Sequence, residues 1–147
     1  MSLDTPDRPW AEDLQPAQLV GRGHAAGDVL EAWKWRVLER TPDRLRIECQ
    51  LPDHLKNPSG QLFGGFTGTY VDFVCLHTLV GDPTTERGFQ STINMRIDYF
   101  EPIMGPTFEV EGEIVKLRGK TSLVSASFYV GDELAVYSIG TFRDIGA

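Results

Sequence analysis

Cysteine, histidine, positive charge and long apolar runs are all scarce in this 147-residue chain, and each scarcity removes a class of protein. The two cysteines, Cys49 and Cys75, are too few for a disulfide framework or a cysteine-built zinc site. Both have apolar neighbours, so free buried thiols are expected. The three histidines, His24, His54 and His77, show no His-x-x-x-His spacing, and no metal or other cofactor is expected. Fourteen Lys and Arg stand against 21 Asp and Glu, a net charge of -7, which argues against broad electrostatic binding to nucleic acid. An anionic ligand would need a local basic patch, because the overall field repels it. No apolar run reaches the roughly 18 residues that span a membrane. The opening MSLDTPDRPW is polar, acidic and punctuated by proline, without the basic start and apolar stretch of a signal peptide, so a cytoplasmic address is expected.

What remains is an ordinary globular composition, 41% hydrophobic and 24% charged, of a length that suits one domain. Residues 1–30 carry little pattern and are expected to be an irregular N-terminal extension, with Pro6, Pro9 and Pro16 breaking any long helix. The glycines Gly21, Gly23 and Gly27 resemble a dinucleotide-binding loop only faintly: the third comes one residue late and no strand precedes them. They read as a connector.

A single domain is expected over 31–147. From Trp33 the period becomes two: Trp33, Trp35 and Val37 alternate with Lys34 and Arg36. After a Thr41-Pro42-Asp43 turn, Leu45, Ile47, Cys49 and Leu51 alternate with Arg44, Arg46, Glu48 and Gln50. Leu62 to Val80 is then apolar almost all round. Its glycines, threonines and valines disfavour a helix, but about nineteen residues without a turn signal are too many for an ordinary strand. The segment reads as a buried central helix, closed by Gly81-Asp82-Pro83. Four strands in a meander follow: Ile93 to Tyr99, Phe108 onward with a phase slip near Ile114–Val115 that suggests a bulge, Val124 to Val130, and Leu134 to Phe142. Arg118-Gly119-Lys120 and Gly131-Asp132 supply the hairpin turns. A helix with no polar face must be wrapped. Six largely antiparallel strands curling round one long helix make an α+β hotdog fold.

Two features of the helix carry chemistry. Asp72 is the sole acidic residue between Asp53 and Asp82, with no basic partner within a turn. Burying an unpaired carboxylate is costly, so Asp72 either reaches a wet cleft or has a raised pKa, and both suit a general base or nucleophile. The bland alternative is a carboxylate bound to loop amides or at a subunit contact. Gly64 and Gly65 stand near the helix start, where bare N–H groups and the helix dipole favour developing negative charge, as on a carbonyl oxygen under attack. Their bland alternative is a tight turn or close packing. Gly64 and Asp72 are eight residues apart, about 12 Å along a helix. One helix cannot bring both to one carbon, but two antiparallel helices related by a two-fold axis can.

Residues from about 45 to 142 resemble the hotdog acyl-CoA thioesterases of the phenylacetate-degradation (PaaI-like) type. That family places an Asn six residues before a His-Gly-Gly and an Asp nine residues beyond the His. Here these positions hold Asn57, Phe63-Gly64-Gly65 and Asp72, and Ser91 to Pro102 resembles the family's next strand. The resemblance implies that Asp72 is base or nucleophile, that the Gly64 amide polarises the thioester carbonyl, and that Asn57 holds substrate or water. It also implies a hydroxyl orienting the water or Asp72. Thr92 aligns best with it, since Ser91 should point the other way. Gly65 and Phe63 would border the substrate, and Arg118 and Lys120 would meet coenzyme A phosphates unless they simply form a solvated turn. A homodimer or homotetramer is implied, with acyl-CoA as ligand and neither nucleic acid nor membrane as partner. Phe63 departs from the family's His and cannot form its hydrogen bonds. The alternative is therefore a non-catalytic acyl-CoA or acyl-chain binding protein. A hotdog dehydratase would want a His at the helix start, and none stands there.

Overall fold

A computed structural model describes residues 16–23, 25–80 and 89–146. Pro6, Pro9, His24 and the Gly81-Asp82-Pro83 turn lie outside the described residues. The chain runs through a short helix α1 (Ala25–Val29), strands β1 (Arg36–Thr41) and β2 (Arg44–Gln50), the long helix α2 (Gly64–Val80), and strands β3 (Gln90–Tyr99), β4 (Thr107–Arg118), β5 (Thr121–Val130) and β6 (Glu133–Asp144). The six strands form one antiparallel sheet in the order β1-β2-β4-β5-β6-β3, and α2 lies across its inner face against β2, β3, β4 and β5. This is the expected hotdog arrangement.

The period-two pattern locates the strands because each buries one face. Leu45, Ile47 and Cys49 from β2, Phe108 and Val110 from β4, Val124, Ala126 and Phe128 from β5, and Val136 and Phe142 from β6 all point at the helix and are buried. The helix answers with Tyr70, Val71, Val74, Cys75 and Leu79, each almost fully removed from water. Each such side chain contributes on the order of 1.5–3 kcal/mol, which overrides the poor helix propensity of the segment. Aromatic rings fill the centre: Trp35 stacks on Tyr70 at 5.6 Å, and Tyr70 meets Phe108 edge-on at 5.3 Å. Gly112 on β4 lets the helix come close. A Cβ there would collide with Thr78 Oγ1 and stand 3.0 Å from Val74 Cγ1. At the far end of α2, Arg40 of β1 donates to the His77 carbonyl at 3.1 Å, placing a cation where the helix dipole is negative.

Three expectations need correction. The first strand begins at Arg36. Trp33 sits in a 3-10 turn (Ala32–Lys34) that Trp35 caps by donating its N–H to the Ala32 carbonyl, and the Trp35 ring packs onto Tyr70. The long helix begins at Gly64, since Leu62 is held in a bridge to Lys56 and donates its N–H to Ile103. The four later strands are not one meander. Only β4-β5-β6 follow in order, while β3 leaves the helix at the far edge of the sheet and pairs with β6. The slip near Ile114 is a bulge: Ile114 opposes Val124 and Lys116 opposes Leu123, leaving Val115 extra.

Leu19, Val20 and Leu30 are buried in the same core as the sheet and helix. Ala17 accepts the Val37 N–H at 2.7 Å and Gln18 bridges Arg36, so this segment covers the start of β1.

Candidate active site

The loop leading into α2 is built by Asn57. Its Oδ1 accepts the N–H groups of Ser59 at 2.9 Å and Gln61 at 3.0 Å, and its own N–H donates to the Gln61 carbonyl at 2.7 Å. Gly60, at φ +79°, supplies the left-handed turn between them. Phe63 donates to the Leu55 carbonyl at 2.9 Å, so the chain arrives at Gly64 along a fixed path. Asn57 thus spends its carbonyl oxygen on the shape of this loop.

Gly64 and Gly65 open the helix, where the first N–H groups have no intrahelical acceptor. Neither glycine has the positive φ that would demand it. A Cβ on Gly65 would meet nothing within 4 Å, and one on Gly64 would make ordinary contact with the Tyr99 ring at 3.6 Å. Turn geometry and packing therefore do not require these glycines, whereas an approaching ligand would benefit from bare backbone. Phe63, just before them, is 49% exposed.

Two turns along, the same side of the helix carries Asp72, exposed in a helix whose middle is otherwise largely buried. Thr92 donates its hydroxyl to Asp72 Oδ1 at 2.7 Å. The Asp72 charge is felt nearby: burial first, and this carboxylate second, push the Cys75 thiol up. Cys49, fully buried, is pushed up as well, and both cysteines are free.

Strict alternation would not have put Thr92 there. Tyr99, Ile97 and Met95 face the helix, since they are the atoms that a Cβ on Gly64 or Gly68 would touch. Continuing by twos, Ile93 should come next and Thr92 should point away. Instead Thr92 opposes Phe142 and Asn94 opposes Thr141 on β6, so Ile93 is an extra, bulged residue. The bulge reverses the parity of the strand, leaves Ile93 56% exposed and turns Thr92 to Asp72. Ser91 pairs with Arg143, and no described hydrogen bond links it to Asp72.

Arg118 and Lys120 are exposed at the β4–β5 hairpin, around Gly119 at φ +57°. Arg118 opposes Thr121, Thr121 opposes Arg143, and Arg143 opposes Ser91, so hairpin and Thr92 lie at one end of the sheet, about three strand spacings or 14 Å apart. The helix start lies at the other end. There Tyr99, which sequence reasoning placed only as an alternating strand residue, donates its hydroxyl to the Gly64 carbonyl at 2.6 Å. Nothing in the sequence pairs residues 64 and 99.

His77 is buried with Nδ1 donating to the Phe73 carbonyl at 2.8 Å, and His54 binds the Val29 carbonyl at 2.6 Å. Among the described residues, no group of three or more His, Cys, Asp or Glu could hold a metal ion, and no helix is long and apolar enough to cross a membrane.

Sheet, helix and connectivity define a hotdog protein. No protein-family model and no curated protein matches the sequence. Solved structures do match, among them a putative thioesterase, thioesterase superfamily members and a PaaI protein. A putative thioesterase of Ralstonia eutropha, a phenylacetic acid degradation-related protein, is 18% identical with a TM-score of 0.70, over 82% of this chain and 90% of its own. Mouse thioesterase superfamily member 2 is 24% identical with a TM-score of 0.71, over 83% and 88%. The PaaI protein of the Escherichia coli phenylacetic acid degradation operon is 11% identical with a TM-score of 0.72, over 85% and 87%. At these identities the likeness establishes the fold.

Proposed function

We propose that this protein is a thioesterase that hydrolyses acyl-CoA to a free acid and coenzyme A. The observation that carries the reading is Asp72: an exposed carboxylate in a mostly buried helix, oriented by Thr92 at 2.7 Å. A carboxylate so placed can take a proton from water or attack a thioester carbon directly. The Gly64 N–H, bare at a helix N-terminus, would bind the oxygen that becomes negative.

Both groups must lie about 3 Å from one reacting centre, yet eight residues of helix separate them by about 12 Å. The site is therefore completed by a second copy, with Gly64 of one protomer facing Asp72 of its partner and two equivalent sites per homodimer. Strand β3, at the sheet edge and followed by the exposed Phe100, offers the surface for that second copy, and pairs of dimers would give a homotetramer. Arg118 and Lys120 supply positive charge for the coenzyme A phosphates in an otherwise acidic protein. Two free buried thiols fit a cytoplasmic setting.

A second reading is favoured by Phe63. Exposed beside the glycines and without a hydrogen-bonding atom, it suits an acyl-CoA or acyl-chain binding protein with no turnover. The deciding experiment is thiol release from short, medium, long and aryl-acetyl CoA esters by wild type and Asp72→Ala. Turnover lost in the variant supports the thioesterase. A folded wild type that binds without turnover supports the binding protein. Cys49 and Cys75 should stay silent to the thiol reagent, being buried with raised pKa.

A further inference from the structure

We propose that Tyr99 is a positioning residue for this reaction, making the Gly65 N–H a second, strengthened donor to the substrate oxygen beside the Gly64 N–H. The inference rests on the thioesterase reading and adds to it a residue that reaches the helix start from another strand. The Tyr99 hydroxyl donates to the Gly64 carbonyl at 2.6 Å, and its ring lies against the Gly64 backbone. That carbonyl belongs to the same peptide group as the Gly65 N–H. The peptide is one conjugated unit, so electron density drawn onto its oxygen is drawn from its N–H, which becomes a better donor. The Gly65 N–H is one of the helix's unpaired first donors, and the space around Gly65 is open: no side-chain or backbone atom would lie within 4 Å of a Cβ there.

The tyrosine is held firmly enough to serve. It opposes Val136 on β6, and the next two residues, Phe100 and Glu101, both donate their N–H groups to the Ala135 carbonyl, at 2.8 and 3.0 Å. Phe63 meets the helix start only through its backbone, its carbonyl accepting the Phe66 N–H at 3.0 Å, so the described side-chain bond there comes from Tyr99. Strand β3 thus touches both halves of the site, Thr92 on Asp72 and Tyr99 on Gly64.

The test is Tyr99→Phe, which removes the hydroxyl and keeps the ring. Three quantities are read: the amide proton shifts of Gly64 and Gly65 by NMR, kcat and KM on the best acyl-CoA of the panel, and Tm. Removing an oxyanion donor outright costs about 10²–10³ in kcat, so weakening one should lower kcat roughly 3- to 10-fold with KM and Tm unchanged. The Gly65 amide proton should move upfield while that of Gly64, in the preceding peptide, moves much less. An unmoved Gly65 amide overturns the proposal whatever the kinetics, and so does an unchanged kcat in an active enzyme. If wild type turns over no thioester although the Gly65 amide shifts, the thioesterase reading has failed, and the catalytic role of Tyr99 falls with its premise.

Discussion

The two sides of helix α2 differ sharply. The side toward β4 and β5 carries Thr67, Tyr70, Val71, Val74 and Thr78, all buried, and β4 has a glycine where any side chain would strike Thr78. The side toward β3 carries Gly64, Gly68 and Asp72, with open backbone at one end and an exposed carboxylate at the other. One element is thus core on one side and chemistry on the other. On the packed side, neighbours confine the helix by filling space. On the β3 side, hydrogen bonds from Thr92 and Tyr99 fix it at two points and leave the stretch between them with small side chains. Stability and activity should therefore respond to different substitutions.

The strongest separation is expected from Asp72→Ala. It should lower kcat by about 10²–10⁴ while Tm holds or rises, because an exposed carboxylate contributes little to packing. A matching fall in Tm would show that Asp72 is structural and would erase the distinction. Next, Gly112→Ala on the facing strand should destabilise the fold by about 2–3 kcal/mol, since Thr78 and Val74 must both yield, and thermal melting measures this directly. Its specific activity per folded molecule should stay near wild type. Thr92→Val should cost about 10-fold in kcat, the worth of one hydrogen bond to a charged group, with little change in Tm. The smallest effect is expected from deleting Ile93. As the extra residue of a bulge, and exposed, it can be removed while Thr92 still opposes Phe142 and Asn94 still opposes Thr141. Melting and turnover should both stay close to wild type, although losing one residue inside a strand ordinarily throws half of it onto the wrong face.

Much of this was legible in the sequence, for identifiable reasons. Strands β2, β4, β5 and β6 each bury one face, so their periodicity is written in Leu45, Ile47 and Cys49, or in Phe108 and Val110. The helix was legible by length and Asp72 by isolation. Trp33 and Trp35 misled, because aromatic residues spaced by two mark a strand and a 3-10 turn alike. The position of β3 was not legible, since strand order depends on where the helix delivers the chain, and no local pattern carries that. Near Thr92 the difficulty was chemical: Thr92 and Ile93 are both β-branched, so either could occupy the inward position, and the decision lies in the pairing with β6. The Tyr99–Gly64 bond joins residues 35 apart and leaves no mark in either segment.

The bulge at Ile93 has a consequence for how such a protein can change over generations. Elsewhere in the sheet, exchanging an inward residue for an outward one would need several simultaneous substitutions, each opening a hole or exposing grease. Here the extra residue is itself expendable: the exposed loop-out can be lost while Thr92 keeps its hydroxyl on the helix carboxylate and every core residue keeps its face. A lineage can therefore shorten this strand by one residue without losing the polar contact, in a strand where indels would otherwise be lethal to the fold.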